Sequence, residues 1–419
     1  MSTEARGRDP VSELGDPHPW RAAIVLGLLA IAAGMLASTV LPVVLGRGGW
    51  WTPGDAWISL RAAHYVPQGA WPLIYETGTK HDIFDGGPLL PLVLAPVAYV
   101  SDLFHLREGY PFAPPYPSAW IVYGPYVLAS AIPLLYAVRA LATEIGLGAR
   151  RLLLQGAVLI VAFVPIALYG HVEDAIALTL LLLAFRDLLA GRELRGALLV
   201  AAAIAFKQWS LLAVPVFVAI SPAPVRLRVA VRSLVPPALL EGAFLAMDYP
   251  YASRALLHTP TFASLGHSAL WISPSADYLS SVPARAGAIL LAVVVGWRMR
   301  DQRDPSRVLA AVGVILLARF FFESVVHAYY LAPGITFLLV SERAWRRIVT
   351  KTAIAAALLL AFPLHPDRQL WWAGVYVLGA ALLVPPARRL LARPGPRGDP
   401  GAAPREADDP GPRAVLSRS

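Results

Sequence analysis

The chain has 419 residues, 57% hydrophobic and only 15% charged, with a mean hydropathy of +0.57. That composition excludes a single soluble domain and fits a polytopic bundle of membrane helices. The formal net charge is +9, but the arginines sit in short clusters between apolar runs, where they orient a membrane protein, so no nucleic-acid partner is implied. The absence of cysteine excludes disulfides, thiolate metal sites and cysteine nucleophiles.

In chain order, residues 1–20 are polar and read as a disordered cytoplasmic N-terminus. The uncharged run from Ala22 to Gly46 lies between Arg21 and Arg47 and can cross about 30 Å of hydrocarbon as a helix, so it reads as a retained signal anchor. Residues 46–85 follow as an extracytoplasmic loop rich in tryptophan. Within it, the amphipathic stretch from Gly54 to Arg61 carries Asp55 near its start. Further apolar segments at 86–104, 119–138, 152–169, 172–189, 196–220, 229–247, 283–298, 307–322, 326–340, 352–363 and 369–385 predict about eleven to thirteen helices. The count depends on whether 196–220 is one span or two short ones meeting at Lys207.

Arg298, Arg300, Arg303 and Arg307 crowd one loop, Arg343, Arg346, Arg347 and Lys351 another, and Arg388 and Arg389 open the tail. These clusters belong in the cytoplasm, which leaves residues 248–282 outside with a single arginine. Counting through the first half puts Arg139, Arg150 and Arg151 on the wrong side unless 86–104, with Pro88, Pro91 and Pro96, is re-entrant or half-spanning. Residues 21–385 thus form the membrane domain. Residues 386–419, rich in Pro, Gly, Arg and Asp, read as a disordered cytoplasmic tail.

Three groups of residues interrupt the apolar pattern. Gly170-His171-Val172-Glu173-Asp174 puts a histidine and two carboxylates between two apolar runs. A charge at bilayer depth costs about 2.5 to 3.5 kcal/mol even on lenient scales, and such groups usually line a cavity, pathway or catalytic site. If the helix resumes at His171, then His171 and Asp174 share a face and Glu173 points about 100° away. A plain interfacial helix start with acids at the positive dipole end is the alternative. The second group is Lys207-Gln208-Trp209: an ammonium suited to a phosphate, an amide for sugar hydroxyls and an indole for stacking on a sugar ring, against simple snorkelling of the lysine. The third, Arg319, Glu323, His327 and Tyr330, falls on one stripe of a continuous helix and fits either a structural polar seam or a phosphate or sugar site. His258 and His267, beside Trp271, carry little on their own. No HExxH, Walker or dinucleotide fingerprint occurs.

In order along the chain, the early Asp55, the stretch Gln68-Gly69-Ala70-Trp71-Pro72-Leu73-Ile74-Tyr75 leading to Gly87-Pro88-Leu89-Leu90-Pro91, the pentapeptide, Lys207-Gln208 and Tyr329-Tyr330-Leu331-Ala332-Pro333 resemble the integral-membrane glycosyltransferases of the GT-C fold. Those enzymes use polyprenyl-phosphate-linked sugars. The likeness covers roughly residues 20 to 340 in short, degenerate motifs. It departs from the dolichyl-phosphate-glucose-dependent members at Val172-Glu173-Asp174, so neither glucose nor the acceptor carries over; bacterial members of the family most often transfer mannose or arabinose, and mannose is favoured.

The resemblance implies an all-α, multi-pass, inverting transferase of a bacterial plasma membrane with its active site on the extracytoplasmic face. It would move a sugar from a polyprenyl-phosphate donor to a glycolipid, polysaccharide or protein acceptor. Asp55 would be the general base, and Lys207 and Arg319 would steady the phosphate leaving group. His171, Glu173 and Asp174 would hold sugar hydroxyls or assist the base. No cofactor is expected, although Glu173 with Asp174 could bind a divalent cation. The competing class is a transporter or lipid flippase with a proton or substrate path through Glu173, Asp174 and Lys207. A non-catalytic scaffold is the third reading.

Overall fold

The computed structural model describes residues 20–46, 53–76, 84, 86–107, 118–257, 278–322, 327–361 and 368–391. All regular elements among the described residues are helical. In order they are α1 (Arg21–Val44), α2 (Gly54–His64), α3 (Leu90–Leu103), α4 (Trp120–Glu144), α5 (Arg151–Tyr169), α6 (Val172–Leu189), α7 (Glu193–Phe206), α8 (Gln208–Ile220), α9 (Ala223–Met247), α10 (Tyr249–Leu257), α11 (Tyr278–Met299), α12 (Pro305–Phe322), α13 (Ala328–Val340), α14 (Trp345–Ala361) and α15 (Arg368–Leu391). A 3₁₀ turn, Trp71–Glu76, follows α2.

Five of these, α1, α4, α5, α9 and α12, are long and apolar enough to cross a membrane. α1 shows why: Val25, Leu28, Leu29, Leu36 and Val44 are all more than half exposed, an apolar exterior that water would not tolerate. α3, α8 and α13 are apolar but shorter. At 14 residues α3 is about 21 Å long and does not span by itself.

The core is organised around α6, which packs along α7 and α4; α7 packs in turn on α9, α12 on α13, and α2 on α3. Small residues allow these approaches. A Cβ on Gly87 would fall on the carbonyl of Ala205, and the backbone N–H of Gly87 instead donates to the Phe206 carbonyl at 3.0 Å, so the chain before α3 is pinned to the end of α7.

Two boundaries differ from the sequence expectation. The loop expected over 248–282 contains a helix, α10, and α11 begins at Tyr278. The tail expected from 386 begins helical, because α15 runs through Pro385 and Pro386 to Leu391. The expected disorder of residues 1–19 and 392–419, together with His258, His267, Trp271 and Glu323, lies outside the described residues.

Candidate functional site: a histidine between carboxylates

A two-residue elbow builds the centre of the site. α5 ends at Tyr169, and Gly170 takes the left-handed conformation, φ 79°, while the backbone N–H groups of Gly170 and His171 close on the Ile166 carbonyl at 3.0 and 3.1 Å. That is a glycine-terminated helix end, and α6 begins at once with Val172. A Cβ on Gly170 would lie 2.7 Å from the Ala56 Cβ and 2.8 Å from the Pro53 Cβ. Glycine therefore supplies the turn and also admits the first turn of α2 against the elbow, which brings Asp55 to His171.

His171 sits between acids. Its Nε2 lies 2.9 Å from Asp55 Oδ2, and its Nδ1 lies 2.6 Å from Glu173 Oε1 and 3.7 Å from Asp174 Oδ2. Carboxylate oxygens only accept, so with both neighbours ionised each ring nitrogen donates. Glu173 was expected to point away from the histidine, but it converges on it. The reason is local: His171 has φ −82° and ψ 67°, outside the helix, so its ring does not follow the helical phase of α6.

Lys207 lies where α7 stops. Its backbone is extended, φ −154° and ψ 122°, separating α7 from the 3₁₀ start of α8, which is the arrangement of two short segments meeting at Lys207. Its Nζ donates to Glu173 Oε1 at 3.2 Å. Trp209 donates its indole N–H to Asp174 Oδ1 at 2.5 Å. Both side chains are buried, so Lys207 is engaged with a carboxylate where a phosphate was expected, and the Trp209 ring offers no open stacking face. Gln208 is half-buried beside them.

With all groups charged, three acids face two cations. Glu173 and Asp174 are only 1% and 2% exposed, whereas the side chain of Asp55 is 46% exposed. The acid at one end of the chain is open, and the two behind it are closed. His171, Glu173 and Asp174 offer ligand atoms within 4.8 Å of one another, a spacing a metal ion can bridge. The Lys207 ammonium already lies against that group and supplies a cation there.

The Arg319 stripe does not form a continuous helix. Arg319–Phe322 is a 3₁₀ turn, His327 is extended, and a second 3₁₀ turn, Ala328–Leu331, opens α13. Rings connect this group to the site instead. Tyr329 stacks on His171 with centroids 3.9 Å apart, His327 stacks parallel to Tyr329 at 5.5 Å, and Tyr330 meets Tyr329 edge-on at 4.7 Å. Arg319 lies over Tyr330 at 4.9 Å. Tyr169 closes the wall at 5.1 Å from Tyr329. Tyr329 and Tyr169 are the residues that sequence reasoning did not place in the site.

The structure thus brings Asp55, His171, Glu173 and Lys207 into one hydrogen-bonded group, sets the bonded pair Asp174 and Trp209 against it with Asp174 3.7 Å from His171, and joins His327, Tyr330 and Arg319 to it through an aromatic wall. No family model matches the chain, and no curated protein matches it.

Proposed function

We propose that the protein is a GT-C-like, inverting glycosyltransferase of a cell membrane. In this reading a sugar, mannose favoured, passes from a polyprenyl-phosphate donor to a glycolipid, polysaccharide or protein acceptor on the extracytoplasmic face. The observation that carries it is the chain Asp55–His171–Glu173, open to solvent only at Asp55. Asp55 accepts the proton of the acceptor hydroxyl as that oxygen attacks the anomeric carbon. His171 donates to Asp55 and is itself held by Glu173, which fixes the base in position. Lys207 balances Glu173. Steadying the departing phosphate then falls to Arg319, a bidentate donor at the far end of the aromatic wall.

The buried Glu173, Asp174 and Lys207 also suit the alternative of a transporter with a proton path. One experiment separates the two. Purified protein is given a panel of radiolabelled polyprenyl-phosphate sugars and a membrane-lipid extract. Transfer from one donor supports the enzyme; folded protein that consumes none, yet moves protons or lipid in liposomes, supports the transporter.

A further inference from the structure

α9 turns Val229, Ser233, Pro237 and Phe244 into the bundle, where all four are buried. Arg228 and Arg232 lie one turn apart on a flank of the same helix, and both are exposed. Val235 and Leu239, 43% and 69% exposed, continue that flank at i+7 and i+11 from Arg228. No hydrogen bond or ion pair among the described residues engages either guanidinium. The nearest acid along the helix, Glu241, is nine positions beyond Arg232, on the opposite face, and accepts from the Tyr75 hydroxyl.

The neighbouring helix sets the depth of these two residues. Arg226 Nη2 donates to the Arg300 carbonyl at 3.2 Å, which ties the start of α9 to the end of α11. The Arg300 guanidinium lies over the Trp297 ring at 4.3 Å, and Trp297 is 67% exposed. An exposed tryptophan beneath an arginine at a helix end marks the headgroup level of a bilayer. α9 is long and apolar enough to cross a membrane, and Arg232 lies about 9 Å along its axis from Arg226, inside that level. A guanidinium facing hydrocarbon is costly and cannot shed its charge, so without an acid from the chain it needs an anion from outside.

We propose that Arg228 and Arg232 bind the phosphate of an anionic phospholipid, whose acyl chain lies along Val235 and Leu239. The Arg232 stem runs back along the helix toward the headgroup level, and each guanidinium offers a fork of donors to the phosphate oxygens. Charge selects the lipid class. Two cations with no acid beside them favour a headgroup that is negative overall, whereas a zwitterionic headgroup brings an ammonium to the same cations. Free phosphate offers the same oxygens but gains nothing from Val235 and Leu239.

The test uses the full chain in detergent, with dioctanoyl-phosphatidylglycerol, dioctanoyl-phosphatidylethanolamine and inorganic phosphate compared by native mass spectrometry and thermal shift. Phosphatidylglycerol is expected to bind about tenfold more tightly than phosphatidylethanolamine and to raise Tm, and inorganic phosphate to leave Tm where it was. Arg228→Gln and Arg232→Gln should each weaken phosphatidylglycerol about tenfold, the loss of one guanidinium from the phosphate. Arg346→Gln, which removes the same charge from an exposed position on α14, should leave binding unchanged. The Tm without lipid reports whether the variants fold; one that does not is replaced by lysine at the same position, which keeps the charge, loses the fork and should weaken binding about threefold. Phosphatidylethanolamine bound as tightly, variants at 228 and 232 that bind as wild type does, an equal loss in Arg346→Gln, or inorganic phosphate raising Tm as the lipid does would each overturn the assignment. Turnover is not read, so the result is independent of the transferase reading.

Discussion

Glu173 and Glu342 are both under 3% exposed, and α13 runs between their neighbourhoods, with Tyr329 on His171 near its start and Glu342 just past its end, roughly 20 Å along the axis. Around Glu342 the cations outnumber the acid. Lys351 approaches at 2.8 Å, Arg389 at 2.7 Å and Arg347 at 3.7 Å, tying the start of α14 and the end of α15 to α13. Around His171 the acids outnumber the cations and one of them, Asp55, stays open. A buried carboxylate surrounded by cations is a fastening. A cluster left short of positive charge beside an open acid is costly to fold, and it is the cluster on which the proposed transfer rests.

That contrast can be broken residue by residue. The largest effect is expected for Asp55→Asn, which keeps the shape of the side chain but cannot accept a proton as readily. Transfer should fall about 10²- to 10⁴-fold in the radiolabel assay, with Tm unchanged. Glu342→Gln should behave in the opposite way, destabilising the protein by about 3 kcal/mol in a denaturation curve, because Lys351 and its neighbours lose their partner, while turnover per folded molecule is kept.

Gly170→Ala sharpens the geometric half of the comparison without touching a charge. It should cost about 1 to 3 kcal/mol through the left-handed backbone and the contact with Pro53 and Ala56, and should lower transfer by displacing Asp55 from His171. Thermal unfolding and turnover measured on one preparation would show both losses together.

The smallest expected effect is a pH dependence at the fastening. Burial acts to raise the Glu342 carboxyl, but hydrogen bonds from Arg389 and Lys351 outweigh it and hold it below its ordinary value of 4.5. A lowered folded value means the ionised form stabilises the fold fully above 4.5, and that contribution fades as pH falls through the lower folded value. Tm should therefore drop on acidification below about pH 4.5 in the wild type, by an increment that Glu342→Gln lacks.

The residues most legible in the sequence were those whose cost shows without a fold. His171, Glu173, Asp174 and Lys207 stand out because charge is rare in apolar runs, and the apolar segment at 172–189 coincides with α6. Asp55 was one of several loop acids, singled out by resemblance alone; only the approach of α2 to Gly170 brings it to the histidine. Tyr329 carries no charge and enters the sequence reading only within the Tyr329–Pro333 segment of the resemblance, which does not show that its ring stacks on His171. The Arg319 stripe failed for a physical reason: side chains share a face only while the α-helical period holds, and here the backbone passes through 3₁₀ and extended residues.

The most direct measurement is the Asp55→Asn variant in a single preparation, with sugar transfer and donor affinity read side by side. A proton-accepting Asp55 predicts that transfer is lost while the donor still binds within a few-fold of wild type. Transfer at the wild-type rate by the asparagine variant would contradict the role given to the Asp55–His171–Glu173 chain.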